Sequence, residues 1–263
     1  MKKTTHLVFK SLKAEIIFLV IAAIPIVFIG KYYVAKEVDD ARQKKLDRIA
    51  YALTLHIETG TGILRGLQSL YKVLPNLTEK QFNLWTRDRL AGSSIAAVSW
   101  APNVASSHLK ITERNEDGKL VPAIPRASYQ PVTYIAPMFG NEAALGYDLQ
   151  SDHVRHQAIK RSYYNRGSVV SVTTPIDLVQ EEGSSKAVLL FLHVNEKDVV
   201  TAILRISSMM DEILSNYTLG DLRVSLVDSE TRDYLYGDQN GAYEKSVKIG
   251  DRFWVLSLTE PSE

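Results

Sequence analysis

The stretch YQPVTYIAPMFGNEAALGYDLQSDHVRHQAI (residues 129–159) decides how this chain is read. It opens with a β-prone run, VTYIA (132–136), turns at Gly140-Asn141 and passes through LGYDL (145–149). A Ser151-Asp152 cap then starts a helix signal that runs to a stop at Gly167. The stretch holds no nucleophile elbow, no phosphate loop and no metal-ligand spacing. A well-formed strand, turn and capped helix without reactive groups points to a wall that binds, not to a centre that reacts.

On its N-terminal side, ETGTGILRG (58–66) resembles a glycine-rich phosphate loop but lacks the Gly-Lys-Ser/Thr ending and any preceding strand. Gly60, Gly62 and Gly66 are therefore read as sites of close packing or bending. They lie in a proline-free segment where Leu46, Ile49, Leu53, Ile57, Leu64, Leu67, Tyr71 and Leu74 recur every three or four residues. That period predicts an amphipathic helix over residues 35–75, ended by Pro75-Asn76. Its stripe is either packed on the following domain or paired with a second copy. Its first half has no evident partner within the chain, so a homodimer through this stalk helix is expected.

Further upstream, Lys2, Lys3, Lys10 and Lys13 precede IIFLVIAAIPIVFI (16–29). Extended to Val34, the apolar run is roughly 19 residues, about 28 Å of helix at the usual rise. No small-x-small cleavage site follows it, so an uncleaved transmembrane helix over 14–34 is expected. The lysines place a tail of residues 1–13 in the cytoplasm and everything after about residue 34 outside it, in the periplasm or extracellular space.

The composition narrows the classes that remain. The 263 residues are 45% hydrophobic and 23% charged, enough for a folded core, and there is no cysteine. Disulfides, thiolate zinc sites and cysteine catalysis are excluded. Setting aside Lys2, Lys3, Lys10, Lys13 and Glu15 takes the formal charge from +1 to −2, so no basic field serves nucleic acid. No Ser-His-Asp or paired-carboxylate set stands out, and no cofactor is implied. His153 and His156 have a spacing that metals use, but no further ligand accompanies them.

Downstream, TEKQFNLWTRDRL (78–90) is a capped helix and IAAVSW (95–100) a strand, while residues 103–118 read as a helix entering a polar turn. VVSV (169–172) reads as a strand, and AVLLFLHV with VVTAILRI as a buried hairpin around Asn195-Glu196. A short helix (SSMMDEILSNY) and C-terminal strands close the chain. The expected class is α+β with antiparallel sheets. The division is tail 1–13, span 14–34, stalk 35–75, and two half-domains over 76–206 and 207–263.

VSWAPNV (98–104), YQPVTYIAP (129–137), Gly140-Asn141, and GYDL followed by Ser151, Arg155 and Ala158 together resemble the CHASE domain, with SVTTP (171–175) in the expected order. The resemblance implies an extracytoplasmic sensor of membrane histidine kinases, diguanylate cyclases and cytokinin-type receptors. A stalk helix would carry a membrane-distal, ligand-binding PAS-like subdomain and a membrane-proximal PAS-like one. Thr173 matches a threonine that contacts ligand in the cytokinin receptors. Where those receptors carry an aspartate that reads adenine, this chain has APMF (136–139). That departure implies a more apolar ligand or another polar anchor.

The expected ligand-binding set is Trp100, Tyr134, Ala136, Met138, Phe139, Asp148, Arg155 and Thr173. The ligand is expected between the strand at 132–136 and the strand ending at Thr173. Asp148 is either a ligand anchor or a turn residue, and Arg155 pairs either with a local carboxylate or with a ligand anion. Trp100 and Tyr134 belong either to core or to pocket lining. Two functions follow: the input module of a two-component or cyclase receptor, or a stand-alone anchored binding or scaffolding protein without output domain. An extracytoplasmic hydrolase is the weakest alternative. Family members re-enter the membrane near the point where this sequence ends, so a longer receptor with a second span is one expectation.

Overall fold

The computed structural model describes residues 2–105, 110–178, 186–238 and 241–260, with side chains from residue 28 onward except Lys186. Helix α1 runs Lys2–Val73. The chain divides into two units, residues 1–45 and 46–263. In the first, described side chains such as Tyr32, Tyr33 and Val34 are exposed. Among the described residues no helix is long and apolar enough to cross a membrane. The apolar run of the expected span falls almost wholly at positions whose side chains lie outside the description.

The second unit is α+β. Along its part of α1, Leu46, Ile49, Leu53, Ile57, Leu64, Leu67 and Tyr71 are all buried in one apolar core. This corrects the expected dimer seam: the stripe from Leu46 to Leu64 is consumed inside its own domain, because both sheets below pack on it. At Gly60 an added Cβ would lie 2.6 Å from Ile95 Cδ1, so the glycine lets the first strand sit directly against the helix. Helix α2 (Glu79–Leu90) starts in a capping box, with Thr78 and Gln81 each satisfying the other's backbone N–H.

Strands β1 (Ile95–Ala101), β4 (Tyr134–Ala136), β5 (Ser171–Val172), β6 (Ile176–Asp177), β7 (Lys186–His193) and β8 (Val199–Arg205) form the first sheet. Its order is β4-β1-β8-β7-β5, with β6 also on β7, and every pairing is antiparallel. Both faces are covered, which is why β7 and β8 read as near-continuous apolar runs. One face meets α1 and α2; the other meets α3 (His153–Tyr164) and the segment 129–149.

Helix α4 (Ile206–Leu214) leads to the second sheet. It comprises β9 (Arg223–Asp228), β10 (Tyr234–Tyr236), β11 (Tyr243–Ile249) and β12 (Arg252–Thr259), in the order β10-β9-β12-β11. Its Val224, Leu226, Trp254 and Leu256 join the same core as α1.

The helix expected over residues 103–118 is not formed. Val104 bridges to Tyr129, and β2 (Thr112–Arg114) pairs with β3 (Leu120–Pro122); residues 106–109 lie outside the description. The polar run Asn115–Gly118 is a hairpin turn: Gly118 N donates to Asn115 O at 2.9 Å, and Lys119 N to Asn115 Oδ1 at 2.9 Å. The expected strand at 169–172 shortens to β5.

Candidate functional site

The segment around LGYDL is woven into its surroundings by backbone pairing. Thr112 bridges to Tyr147 in parallel, and Pro131 to Asp148 antiparallel. Gly146 has φ +77 and passes so close to the Lys110 carbonyl that a side chain there would collide with it. This is the reason for glycine in LGYDL.

Asp148 is fully buried. Its Oδ1 accepts the backbone N–H of Gln130 at 2.8 Å and of Gln150 at 3.1 Å. Its Oδ2 accepts Arg126 Nη1 at 2.7 Å, and the other end of that guanidinium is paired with Glu113. A buried carboxylate with so many donors is a clamp. It holds 126–131 against 148–150, and its oxygens are spent on that task.

One helical turn on, Asp152 caps α3 by accepting Arg155 N at 2.8 Å. The Arg155 side chain is buried, 3.4 Å from Asp152 Oδ1, and donates to the Asp177 carbonyl at 2.9 Å. Its guanidinium carbon lies 5.3 Å from the centre of the Tyr147 ring. Arg155 thereby joins α3 to β6 and stands on the wall of a cleft of about 470 Å³, lined also by Arg114, Tyr147, Ser151, Asp152 and Asp177. A second groove of about 590 Å³, bordered by Thr112 and Gly146, is lined more by apolar atoms, among them those of Val132, Leu145 and Pro122.

Other expected residues lie elsewhere. Trp100, Tyr134 and Ala136 are directed towards α1 and α2, the face fixed by the pairings Trp100↔Tyr134 and Val98↔Ala136. Trp100 is stacked between Tyr71 (5.2 Å) and Tyr134 (5.0 Å), with Phe82 5.8 Å from Tyr134. Burial in this stack pushes the Tyr71 hydroxyl far above the usual tyrosine range. Met138 packs on the opposite core, and Phe139 is 91% exposed. Thr173 is buried, and its hydroxyl accepts Leu189 N at 3.0 Å. It also lies beside β5, whereas the strand at 132–136 supplies β4; these are opposite edges of the sheet, with β1, β8 and β7 between them. The structure places Arg155 on one cleft, keeps Asp148 buried as a clamp away from that cleft's lining, and joins Trp100 with Tyr134 in one stack. It does not join the cleft to the stack, nor either of them to Thr173.

Arg126, Glu113 and Asp177 were not singled out by sequence, since their partners are brought close only by the bridges just described. Also unforeseen are buried hydroxyls on the α3 side: Ser162, Ser171 and Thr201 have no hydrogen-bond partner among the described residues. His156, with Nδ1 likewise unpartnered, is held below the usual histidine range by burial, reinforced by Lys160 and His153.

Residues 75–236 match the CHASE domain family. Hybrid signal transduction histidine kinase A of Dictyostelium discoideum is 27% identical over 156 residues, covering 52% of this chain and 7% of that protein. The chain thus spans only a small part of that relative's length. Among solved structures, the periplasmic sensory domain of the Campylobacter jejuni chemoreceptor Tlp1 superposes with a TM-score of 0.58 at 11% identity, over 87% of this chain and 96% of that one. An extracellular ligand-binding receptor from Desulfohalobium retbaense gives 0.55 at 8% identity, over 81% and 39%. The ligand-binding domain of the Pseudomonas aeruginosa amino acid chemoreceptor PctB, in complex with L-Arg, gives 0.50 at 10%, over 86% and 94%. At these identities the likeness is one of fold.

Proposed function

We propose, from the premise that this chain belongs to the CHASE domain family, that it is the non-catalytic input module of a membrane receptor and binds a small organic ligand in the cleft beside Arg155. The observation that carries this reading is the convergence of the Arg155 guanidinium, the Ser151 hydroxyl and the Asp152 and Asp177 carboxylates on one cleft of about 470 Å³. A few fixed polar groups in a concave site are the usual means of orienting a small molecule. Guanidinium and carboxylate together suit an amino-acid-sized ligand that carries both charges; the PctB domain of similar fold holds such a ligand, L-Arg. The orphaned hydroxyls under α3 offer further partners on the same side of the sheet.

In this reading residues 14–34 span the membrane, the segment after residue 34 is extracytoplasmic, and a kinase or cyclase output belongs to the longer receptor. The two half-domains are a PAS-like distal subdomain over 76–206 and a PAS-like proximal one over 207–263. Self-association, with the Leu46 stripe occupied, moves to the exposed side of α1 that carries Tyr51 and Leu55.

Calorimetry of the purified chain against an amino-acid and metabolite panel tests the site. A ligand that binds the native chain should lose at least tenfold in affinity to Arg155→Met, with the far-UV dichroism unchanged. Undiminished affinity in that variant places the ligand elsewhere. A reporter active only in the cytoplasm, fused after residue 100, should be silent; activity there overturns the topology.

A further inference from the structure

A third cleft, of about 480 Å³, lies where the end of α1, the end of α3 and the β7–β8 turn meet, and the proposed sensory role makes no use of it. Its lining includes Gln68 and Lys72 from α1, Tyr163 and Arg166 from the α3 end, and His193 and Glu196 from the turn region. His193 is 6% exposed, yet neither ring nitrogen has a hydrogen-bond partner among the described residues. The ring is held from one side by Tyr163, edge to face at 4.5 Å. A buried imidazole that lines a cleft, with no well-formed hydrogen bond and only the Glu196 backbone in reach, is a group able to take a partner that the chain does not supply.

The surrounding charges indicate what that partner is. Lys72 and Arg166 are exposed on the cleft, and neither is paired with a carboxylate among the described residues. Arg166 is presented from a left-handed backbone position, φ 50, just past the helix end. Against these two cations stand Glu196 on the cleft and, close enough to act on the imidazole, Asp198, which is engaged by Asn195 Nδ2 at 2.8 Å and by Asn103 N at 3.1 Å. Gln68 donates through Nε2 to the His193 carbonyl at 2.5 Å, so α1 is already tied to the strand that carries the imidazole.

We propose that this cleft is a binding site for a compact oxyanion, gripped by Lys72, Arg166 and His193, which braces α1 against α3 and β7. The imidazole donates to the anion, and the two cations neutralise it from the open side. Burial keeps the empty imidazole below the usual histidine range, while the Glu196 backbone and Asp198 pull the other way. A bound anion favours the imidazolium, so the proton is taken up on binding and affinity rises as pH falls. The other charged or titratable groups that face the imidazole are Glu196 and Asp198 on the β7–β8 side, Lys72 on α1, and Tyr163 and Arg166 at the end of α3.

The test is calorimetric titration of the purified full chain with inorganic phosphate and, separately, with succinate, at pH 6 and pH 8. Phosphate titrates strongly in this interval, whereas succinate is already mostly a dianion at pH 6 and its remaining ionisation opposes the expected slope, so the slope is read from succinate. Saturable binding of at least one of the two, several-fold tighter at pH 6, is expected; phosphate alone or succinate alone identifies the class of oxyanion. Lys72→Glu, a change at an exposed position, should weaken binding at least tenfold. His193→Gln should keep the fold and flatten the pH slope. Absence of binding by both probes at millimolar concentration overturns the proposal, as does equal binding in Lys72→Glu. Should His193→Gln fail to fold, the Lys72→Glu result decides alone.

Discussion

In the second sheet most buried polar groups answer one another, Trp254 Nε1 being the exception among the described residues. Ser225 and Ser257 share a hydrogen bond of 2.7 Å, and Ser257 also accepts Gly241 N. Asp228 is met twice by Arg252, at 2.8 and 2.6 Å, and by the backbone N–H groups of Glu230 and Thr231. The first sheet is less self-sufficient. By register Ser99, Thr201, Phe191 and Ser171 form one row across it, on the side covered by α3. Yet the hydroxyls of Ser171 and Thr201 end without a partner, as does that of Ser162 above them. An orphaned buried hydroxyl costs about 1–3 kcal/mol. The second sheet satisfies most of its buried polar groups, whereas the first retains several unsatisfied hydroxyls on the side covered by α3.

That contrast presumes that both sheets lean on one core. Replacing Ile49 and Leu53 together by aspartate buries two charges at its centre and should remove at least about 5 kcal/mol, the whole stability of many domains. Dichroism should show an unfolded chain. A folded variant with altered association would return the stripe to a seam between copies.

Next in size is Arg252→Met, expected to cost about 3–5 kcal/mol by leaving the Asp228 charge buried without its ion partner. Burial by itself would raise the Asp228 carboxyl; the bonds from Arg252 and the two backbone N–H groups outweigh it and hold the carboxyl below its ordinary value. A depressed folded value means that this group's stabilisation is present above the unfolded carboxylate range, near pH 4, and lost as pH falls through the folded value. Melting curves between pH 3 and 7 should show that loss in the native chain. In Arg252→Met acid should instead relieve the strandedness of Asp228.

Thr173→Val sharpens the difference within the first sheet. It strands the Leu189 N–H and should cost about 1–3 kcal/mol, while ligand affinity stays unchanged because the hydroxyl is committed to the backbone. A clear drop in affinity at constant fold would restore Thr173 as a ligand contact.

The smallest effect is the most diagnostic. Thr201→Val keeps the shape and removes an orphan, so the melting temperature should rise by the equivalent of up to about 1 kcal/mol. If the row serves a ligand, affinity should fall roughly 2- to 13-fold at the same time. Gain in both would make the row a mere packing defect.

Much of this architecture was legible beforehand because it rests on local signals. The period of Leu46, Ile49 and Leu53 marked α1, Thr78 marked the start of α2, and Asn195-Glu196 marked the turn of the β7–β8 hairpin. Residues 103–118 were misread because a polar turn at Asn115–Gly118 looks alike after a helix and inside a hairpin; the partner at 120–122 decides. The site was less legible for a related reason. Whether Tyr134 or Ile135 faces α1 depends on register against β1, and Arg126 finds Asp148 only because Pro131 bridges to it. The GYDL and Arg155 pattern did mark the wall of the cleft, since the Asp152 cap and the Gly146 turn are encoded within a few residues.

The register of β1 also bears on how the molecule is assembled in time. Val98 pairs with Ala136 on one side and Ala202 on the other, so the strand can complete its place only after segments far along the chain have been made. The β7–β8 and β11–β12 hairpins close locally and need no such wait. Pairings of long sequence separation slow folding, because loop closure is unfavourable before their contacts form. Until β1 docks, the stretch of α1 around Gly60, which Ile95 of β1 covers, stays open. For a newly made chain this is the interval in which aggregation competes with folding.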